Sequence, residues 1–354
     1  MSPDEELLRR PALAPKLVGH QTAAASVRAA IDAGKMAHAW LICGPRGIGK
    51  ATLAYHIART LLSPPAERGG GVNLAPDSPT FRRVAAGGHG DLRVLTLEHD
   101  DKRKRMRTEI RVEQVRALGN FFAMTSAEGG WRVAIIDSMD QLNANAANAL
   151  LKILEEPPER TVLLLVSHAP GRLLPTIRSR CRRLNLRPLT DDEVAEVLRQ
   201  QADMVVPADA AVLSRLADGS PGLALELAEA GGVDVYGKLV QLLSDLPRVD
   251  YAQVHTLADR LARRGAEADY RLWTALVPVW LTRLVRAGVA AEAPAEAAAG
   301  EAALARRLAA GNLDRWVDVW EKITQLVART DAVNMDRKQA VLAIFLALEQ
   351  AARA

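Results

Sequence analysis

Gly44-Pro45-Arg46-Gly47-Ile48-Gly49-Lys50 has the G-x-x-x-x-G-K spacing of a phosphate-binding loop. Glycines let the backbone wrap closely, so that N–H groups face phosphate oxygens, and the helix that starts near Lys50 adds its positive end. Ala39 to Cys43, an apolar run that reads as a buried strand, precedes the loop. The next position, where a Ser or Thr hydroxyl would hold Mg²⁺, is Ala51, and Thr52 comes one residue late. Ile135-Ile136-Asp137 reads as a strand ending in an acid, which places Asp137 at the phosphate site. Its other reading is a strand-end carboxylate that caps a nearby helix. Hydrolysing relatives of such loops commonly carry a Glu after that Asp; here the residue is Ser138, whose hydroxyl cannot replace a carboxylate base. With metal hydroxyl and base both missing, the expectation is a site that does not hydrolyse ATP at a useful rate. Weak ATP or ADP binding through Gly47, Gly49 and Lys50, or no nucleotide at all, stays open.

Ser179-Arg180-Cys181 supplies a further element. A guanidinium lent to a neighbour's nucleotide neutralises charge on a transferring phosphoryl group, an effect worth roughly 10³ to 10⁵ in rate. The plainer reading is one surface Arg among Arg178, Arg182 and Arg183. Lys102 to Arg107, five basic residues in six positions, reads first as a solvated loop and second as a phosphate contact. His38, Trp40, Cys43 and Cys181 read as packing residues, His38 with a hydrogen bond. Trp316 and Trp320, four apart, share a helix face.

Residues 36–187 must position this chemistry. The runs at 39–43, 92–97, 133–136 and 161–166 alternate with helical stretches, the pattern of a parallel sheet covered on both faces. Residues 143–155 carry an amphipathic stripe at Ala146, Ala149, Leu150, Ile153 and Leu154, and Pro157-Pro158 stops it. Residues 63–90, with Gly69-Gly70-Gly71 and Gly87-Gly88, read as one long loop. From Pro188 on the strands disappear. Thr190 with Glu193 forms a capping box, Gly219-Ser220-Pro221-Gly222 breaks the helices, and Gly231-Gly232 marks a boundary before an all-helical stretch. Residues 287–305, rich in Ala and Glu, fit a loop or a weak helix.

The 354 residues suit two or three domains, and 49% apolar with 25% charged residues is an ordinary globular composition. No apolar run reaches the ~18 residues of a membrane span. Met1 to Glu6 lacks a secretory pattern, and two cysteines build neither a disulfide framework nor a zinc module, so a cytoplasmic protein is expected. The net charge of +4 only hints at an anionic partner. Aromatic content of 4% argues against single-strand binding on stacking platforms.

Residues 145–152, Glu155-Glu156-Pro157-Pro158 and Arg178-Ser179-Arg180-Cys181 together resemble the AAA+ clamp-loader family of bacterial DNA polymerase III. Gly19-His20-Gln21, His38 to Leu41 and Met335 to Ala340 add to the likeness, which covers residues 17–230 well and the remainder more weakly. The resemblance implies a RecA-like α/β AAA+ domain at 1–187, a small helical lid at 188–231 and a helical collar at 232–354 that joins subunits in a ring. It implies a non-hydrolysing stator that helps load a sliding clamp onto primed DNA. Arg180 would act in trans on a gamma/tau-type hydrolysing neighbour, with the clamp-opening delta subunit nearby. Gly44, Gly47, Gly49, Lys50, Thr52, Asp137 and Ser167, the last at the first sensor position, would form the degenerate nucleotide site. Alone, Ser167 reads equally as a satisfied strand-end hydroxyl. Many members carry a four-Cys zinc module; no Cys lies between Cys43 and Cys181, His89 and His99 are a poor pair of ligands, and no metal is expected. No sensor Arg follows Gly222 in the lid. The rivals are a hydrolysing clamp-loader or other AAA+ ATPase, and a DNA-binding adaptor resting on Lys102 to Arg107.

Overall fold

The computed structural model describes residues 11–68, 71–100, 105–201, 205–290, 295–333 and 335–353, with the backbone alone at 99, 100, 105, 106 and 331. Lys102 to Lys104, and Gly69 and Gly70 of the Gly69–Gly71 run, lie outside the described residues. The chain divides into two compact units, residues 1–193 with 220–222 and residues 194–219 with 223–354.

In the first unit α1 (Gln21–Asp32) leads into β1 (Ala39–Cys43), the loop and α2 (Lys50–Leu62). α3 (Pro79–Ala85), β2 (Leu92–Leu95), β3 (His99–Asp100), β4 (Arg105–Met106) and α4 (Val112–Ala123) follow. β5 (Arg132–Asp137), α5 (Ala144–Glu155), β6 (Thr161–Ser167), α6 (Pro175–Ser179) and β7 (Arg182–Asn185) complete the sheet, whose order is β2-β5-β6-β1-β7. All four of its pairings are parallel. β1 and β6 are buried at every position, as expected of strands covered on both faces. Leu41, Ala134, Ile136, Leu163 and Leu165 meet Leu118, Phe122, Leu150 and Leu154 of α4 and α5 on one face. Leu53, Ile57 and Leu61 of α2 are buried on the other.

Residues 63–90 are not the single loop expected. Ser78 caps α3, its hydroxyl accepting from Phe81 N at 3.1 Å, with Pro79 at the first helical position. Phe81 lies under the Arg59 guanidinium, 4.3 Å from ring centre to Cζ, and so docks the segment on α2. β3 and β4 pair antiparallel, so His99–Asp100 ahead of the basic run and Arg105–Met106 within it are strands rather than open loop. His38 also departs from its reading: its Nε2 is buried without a hydrogen-bond partner.

The second unit is helical. It holds most of α7 (Asp191–Arg199), α8 (Pro207–Leu216), most of α9 (Pro221–Glu229), α10 (Gly232–Leu243) and α11 (Tyr251–Ala262). α12 (Glu267–Val289), α13 (Glu301–Ala309), α14 (Asp314–Val333) and α15 (Arg337–Arg353) follow, so within the 287–305 stretch one helix ends at Val289, residues 295–300 are non-helical, and another helix starts at Glu301. Trp316 is fully buried, edge-on to Trp280 at 6.2 Å, while Trp320 on the next turn is 38% exposed. Glu301 is a buried hub that accepts from Tyr236 Oη, Arg283 Nε at 2.7 Å and Ala297 N at 2.7 Å.

Candidate functional site

After Cys43 the chain reverses in six residues to begin α2 at Lys50. A Cβ on Gly44, at φ +150°, would lie 2.7 Å from the Leu186 carbonyl oxygen, backbone that cannot step aside. Lys50 is 3% exposed, and its Nζ donates to Gly44 O at 2.8 Å and to Pro45 O. Those bonds use two of the three ammonium donors on the loop itself. The next three carbonyls are also held. Arg46 O accepts from Ser220 Oγ at 3.1 Å, Gly47 O from Gly222 N at 3.0 Å, and Ile48 O from His20 Nε2 at 2.7 Å. His20 must therefore carry its proton on Nε2. Five consecutive carbonyls thus point at protein donors, which fixes the loop through the backbone atoms that an anion does not need.

The parallel register sets Cys43 beside Ser167 and Val166 beside Asp137, so the carboxyl ends of β1, β6 and β5 lie side by side next to the loop. Burial pushes the Asp137 carboxyl up, against the pull of Lys50 and Arg46. Burial lowers the Lys50 ammonium to about 8, resisted by Asp137 and Asp140, so it stays charged at neutral pH. Ser167 is fully buried and its hydroxyl donates to Asp140 at 3.0 Å. The same carboxylate accepts from His168 N at 2.6 Å and Ala169 N at 3.0 Å. Burial alone would raise Asp140; these bonds take it below the usual carboxylate range. The carboxylate that captures a strand end, that of β6, is therefore Asp140, three residues beyond the one singled out from sequence. Thr52 lies in the first turn of α2, beside Ala51 and half-buried like it.

Arg180 sits elsewhere. It closes the five-residue helix α6, which buried Ile177 anchors, and precedes β7. Arg182 of β7 pairs beside Trp40, and Asn185 beside Cys43, where the loop begins. The strands run parallel, so Arg180 stands at the opposite end of β7 from the loop, more than about 10 Å along the strand at ~3.3 Å per residue. Its Nη1 donates to Thr176 O at 3.0 Å and its Nη2 lies 3.0 Å from Glu155 Oε1.

A family model described as "DNA polymerase III, delta subunit" matches residues 19–190, the stretch that holds the loop, both acids and Arg180. Over 145 residues the chain is 47% identical to DNA polymerase III subunit delta' of Pseudomonas aeruginosa, covering 41% of the chain and 42% of that protein. These likenesses support a delta-prime clamp-loader subunit of DNA polymerase III. The delta' subunit of Bacillus subtilis is 33% identical over 171 residues, 48% of each chain. The gamma/tau subunit of Mycobacterium bovis is 30% identical over 273 residues, 73% of this chain and 44% of that one. The chain thus spans less than half the length of these relatives. Among solved structures, a gamma subunit-related protein of Thermotoga maritima aligns over 90% of this chain and 95% of its own at 16% identity, with a TM-score of 0.44. The fold assignment itself rests on the strand order and the loop.

The segment after α2 ends in a set of hydrogen bonds around Asp91. Asp91 accepts from Ser126 Oγ at 2.9 Å, Ala127 N at 2.9 Å and Glu128 N at 3.2 Å. His89 is buried, its Nδ1 accepting from Asp91 N at 3.2 Å, while the His99 side chain lies outside the described residues. Among the described residues no three His, Cys, Asp or Glu cluster as metal ligands, and no helix is long and apolar enough to cross a membrane. Sequence reasoning did not assign His20, Ser220 and Gly222 to the loop, nor Asp140 to the end of β6. Gly19-His20 and Gly219 to Gly222 stood out only as motifs, and nothing in their local pattern says which carbonyl they meet.

Proposed function

We propose that this chain is a non-hydrolysing stator subunit of the bacterial clamp loader that completes the ATP site of a neighbouring subunit with Arg180. The placement of Arg180 carries this reading. It is a partly exposed guanidinium at the far end of β7 from its own loop. Its own site lacks a hydroxyl at Ala51 and a carboxylate at Ser138, the groups that place a metal and activate water. Gly44, Gly47, Gly49, Lys50, Thr52, Asp137 and Ser167 form a degenerate nucleotide site in this proposal, one that holds ATP or ADP weakly or stays empty, with no metal of its own. The division into a RecA-like domain at 1–187, a lid at 188–231 and a collar at 232–354 belongs to the same proposal. So do the partners, namely gamma/tau-type and delta subunits, the sliding clamp and primed DNA, and a cytoplasmic setting.

The test is ATP turnover by the reconstituted complex with clamp and primed DNA, comparing wild type, Arg180→Ala and Lys50→Ala. Arg180→Ala is expected to cut turnover by at least tenfold while Lys50→Ala leaves it unchanged. Loss with Lys50→Ala and none with Arg180→Ala would make the chain an ATPase in its own right.

A further inference from the structure

Arg180 is held on two sides. Thr176 O, one turn earlier in α6, takes one N–H from Nη1, and Glu155, the last residue of α5, faces Nη2 at 3.0 Å. A guanidinium carries five N–H donors in a rigid plane, so these two contacts set the plane and leave three donors for phosphate oxygens. The side chain has many rotamers, and a free one in solvent would lose them on meeting a transferring phosphoryl group. Glu155 and Arg180 are 50% and 36% exposed, so the pair holds an orientation without carrying the fold.

We infer that Glu155 is the positioning residue of the arginine finger, fixing Arg180 from the end of α5 so that the guanidinium is pre-oriented for the neighbour's nucleotide. This rests on the proposed role of Arg180. Glu155 touches no reacting atom. It acts by reducing the freedom that Arg180 must give up, an effect on turnover rather than on the neighbour's hold on ATP. Because exposed ion pairs are weak and screened by salt, the effect is modest and falls as ionic strength rises.

The experiment uses the full reconstituted complex with clamp and primed DNA, measuring kcat and KM for ATP. The chain is wild type, Glu155→Ala, Glu155→Gln, Arg180→Ala or the double variant Glu155→Ala/Arg180→Ala, each with its melting temperature checked. Glu155→Ala is expected to lower kcat roughly two- to fivefold with KM unchanged. Glu155→Gln, which keeps an acceptor oxygen in reach, should recover most of that loss. In the Arg180→Ala background, Glu155→Ala should change nothing further. If Arg180→Ala lowers turnover but Glu155→Ala does not, or lowers it equally with Arg180 absent, Glu155 is not the positioning residue and the finger survives. A rise in turnover with Glu155→Ala would mean that Glu155 restrains the finger, which also overturns the inference. If Arg180→Ala is silent, the proposed function itself fails.

Discussion

His56 lies on α2, fully buried, with Nδ1 3.3 Å from Val72 O and Nε2 buried without a partner. Burial first, and then the charge of nearby Arg59, lowers its pKa to about 3. The unfolded chain, with an ordinary imidazole near 6.5, therefore binds one more proton than the folded chain between those values. Stability is fully present above about pH 6.5 and is lost as pH falls toward 3, at up to ~1.4 kcal/mol per pH unit from this group. Arg59 is held in place beside it. It is 1% exposed, both of its Nη atoms donate to Ala14 O, and Phe81 lies against its face. Denaturant melts at pH 7 and pH 5 should show wild type losing about 2 kcal/mol more than His56→Met over that interval. Parallel losses would mean that His56 takes a proton in the folded state.

α5 shows what was readable from sequence and what was not. Its apolar stripe gave the buried face, with Ala146, Leu150 and Leu154 now in the core, and Pro157-Pro158 marked its stop. Asn143 caps it, Oδ1 accepting from Ala146 N at 2.9 Å, so Asn143→Ala should cost about 1 kcal/mol in thermal or urea melts. A loss below a few tenths would mean that water replaces the cap. The Thr190–Glu193 box also forms, through bonds of 2.9 Å and 3.3 Å. These signals are local, with all their atoms within a few residues. The helix α3 was hidden because seven residues among Pro and Gly carry little periodicity, although Ser78-Pro79 announces its start. The bond from Ser167 to Asp140 spans 27 residues and the one from Ser220 to Arg46 spans 174, and no window along the chain contains them.

The two units interleave along the chain. The path leaves the α/β unit after Glu193, returns for Ser220 to Gly222, and leaves again at Leu223. That three-residue return supplies the donors for Arg46 O and Gly47 O, so the geometry of the loop at residues 44–50 depends on a segment embedded in a helical stretch. Gly222 is required by close approach. A Cβ there would lie 3.0 Å from Gly47 Cα and 3.2 Å from Gly47 O, both backbone atoms. Gly222→Ala should therefore force the loop and the return apart and cost roughly 1 to 3 kcal/mol. Ser220→Ala removes one donor and should cost about 1 kcal/mol. Hydrogen exchange on the full chain can separate local from global effects. Amides at 44–50 should exchange faster in both variants, while those of α12 and α15, in the cores of the helical unit, keep wild-type protection. Faster exchange confined to α9, with the loop unchanged, would show that the return is not what holds the loop. Faster exchange throughout α12 and α15 would show that the two units unfold as one, and that the contact at Gly47 stabilises the whole chain rather than the site.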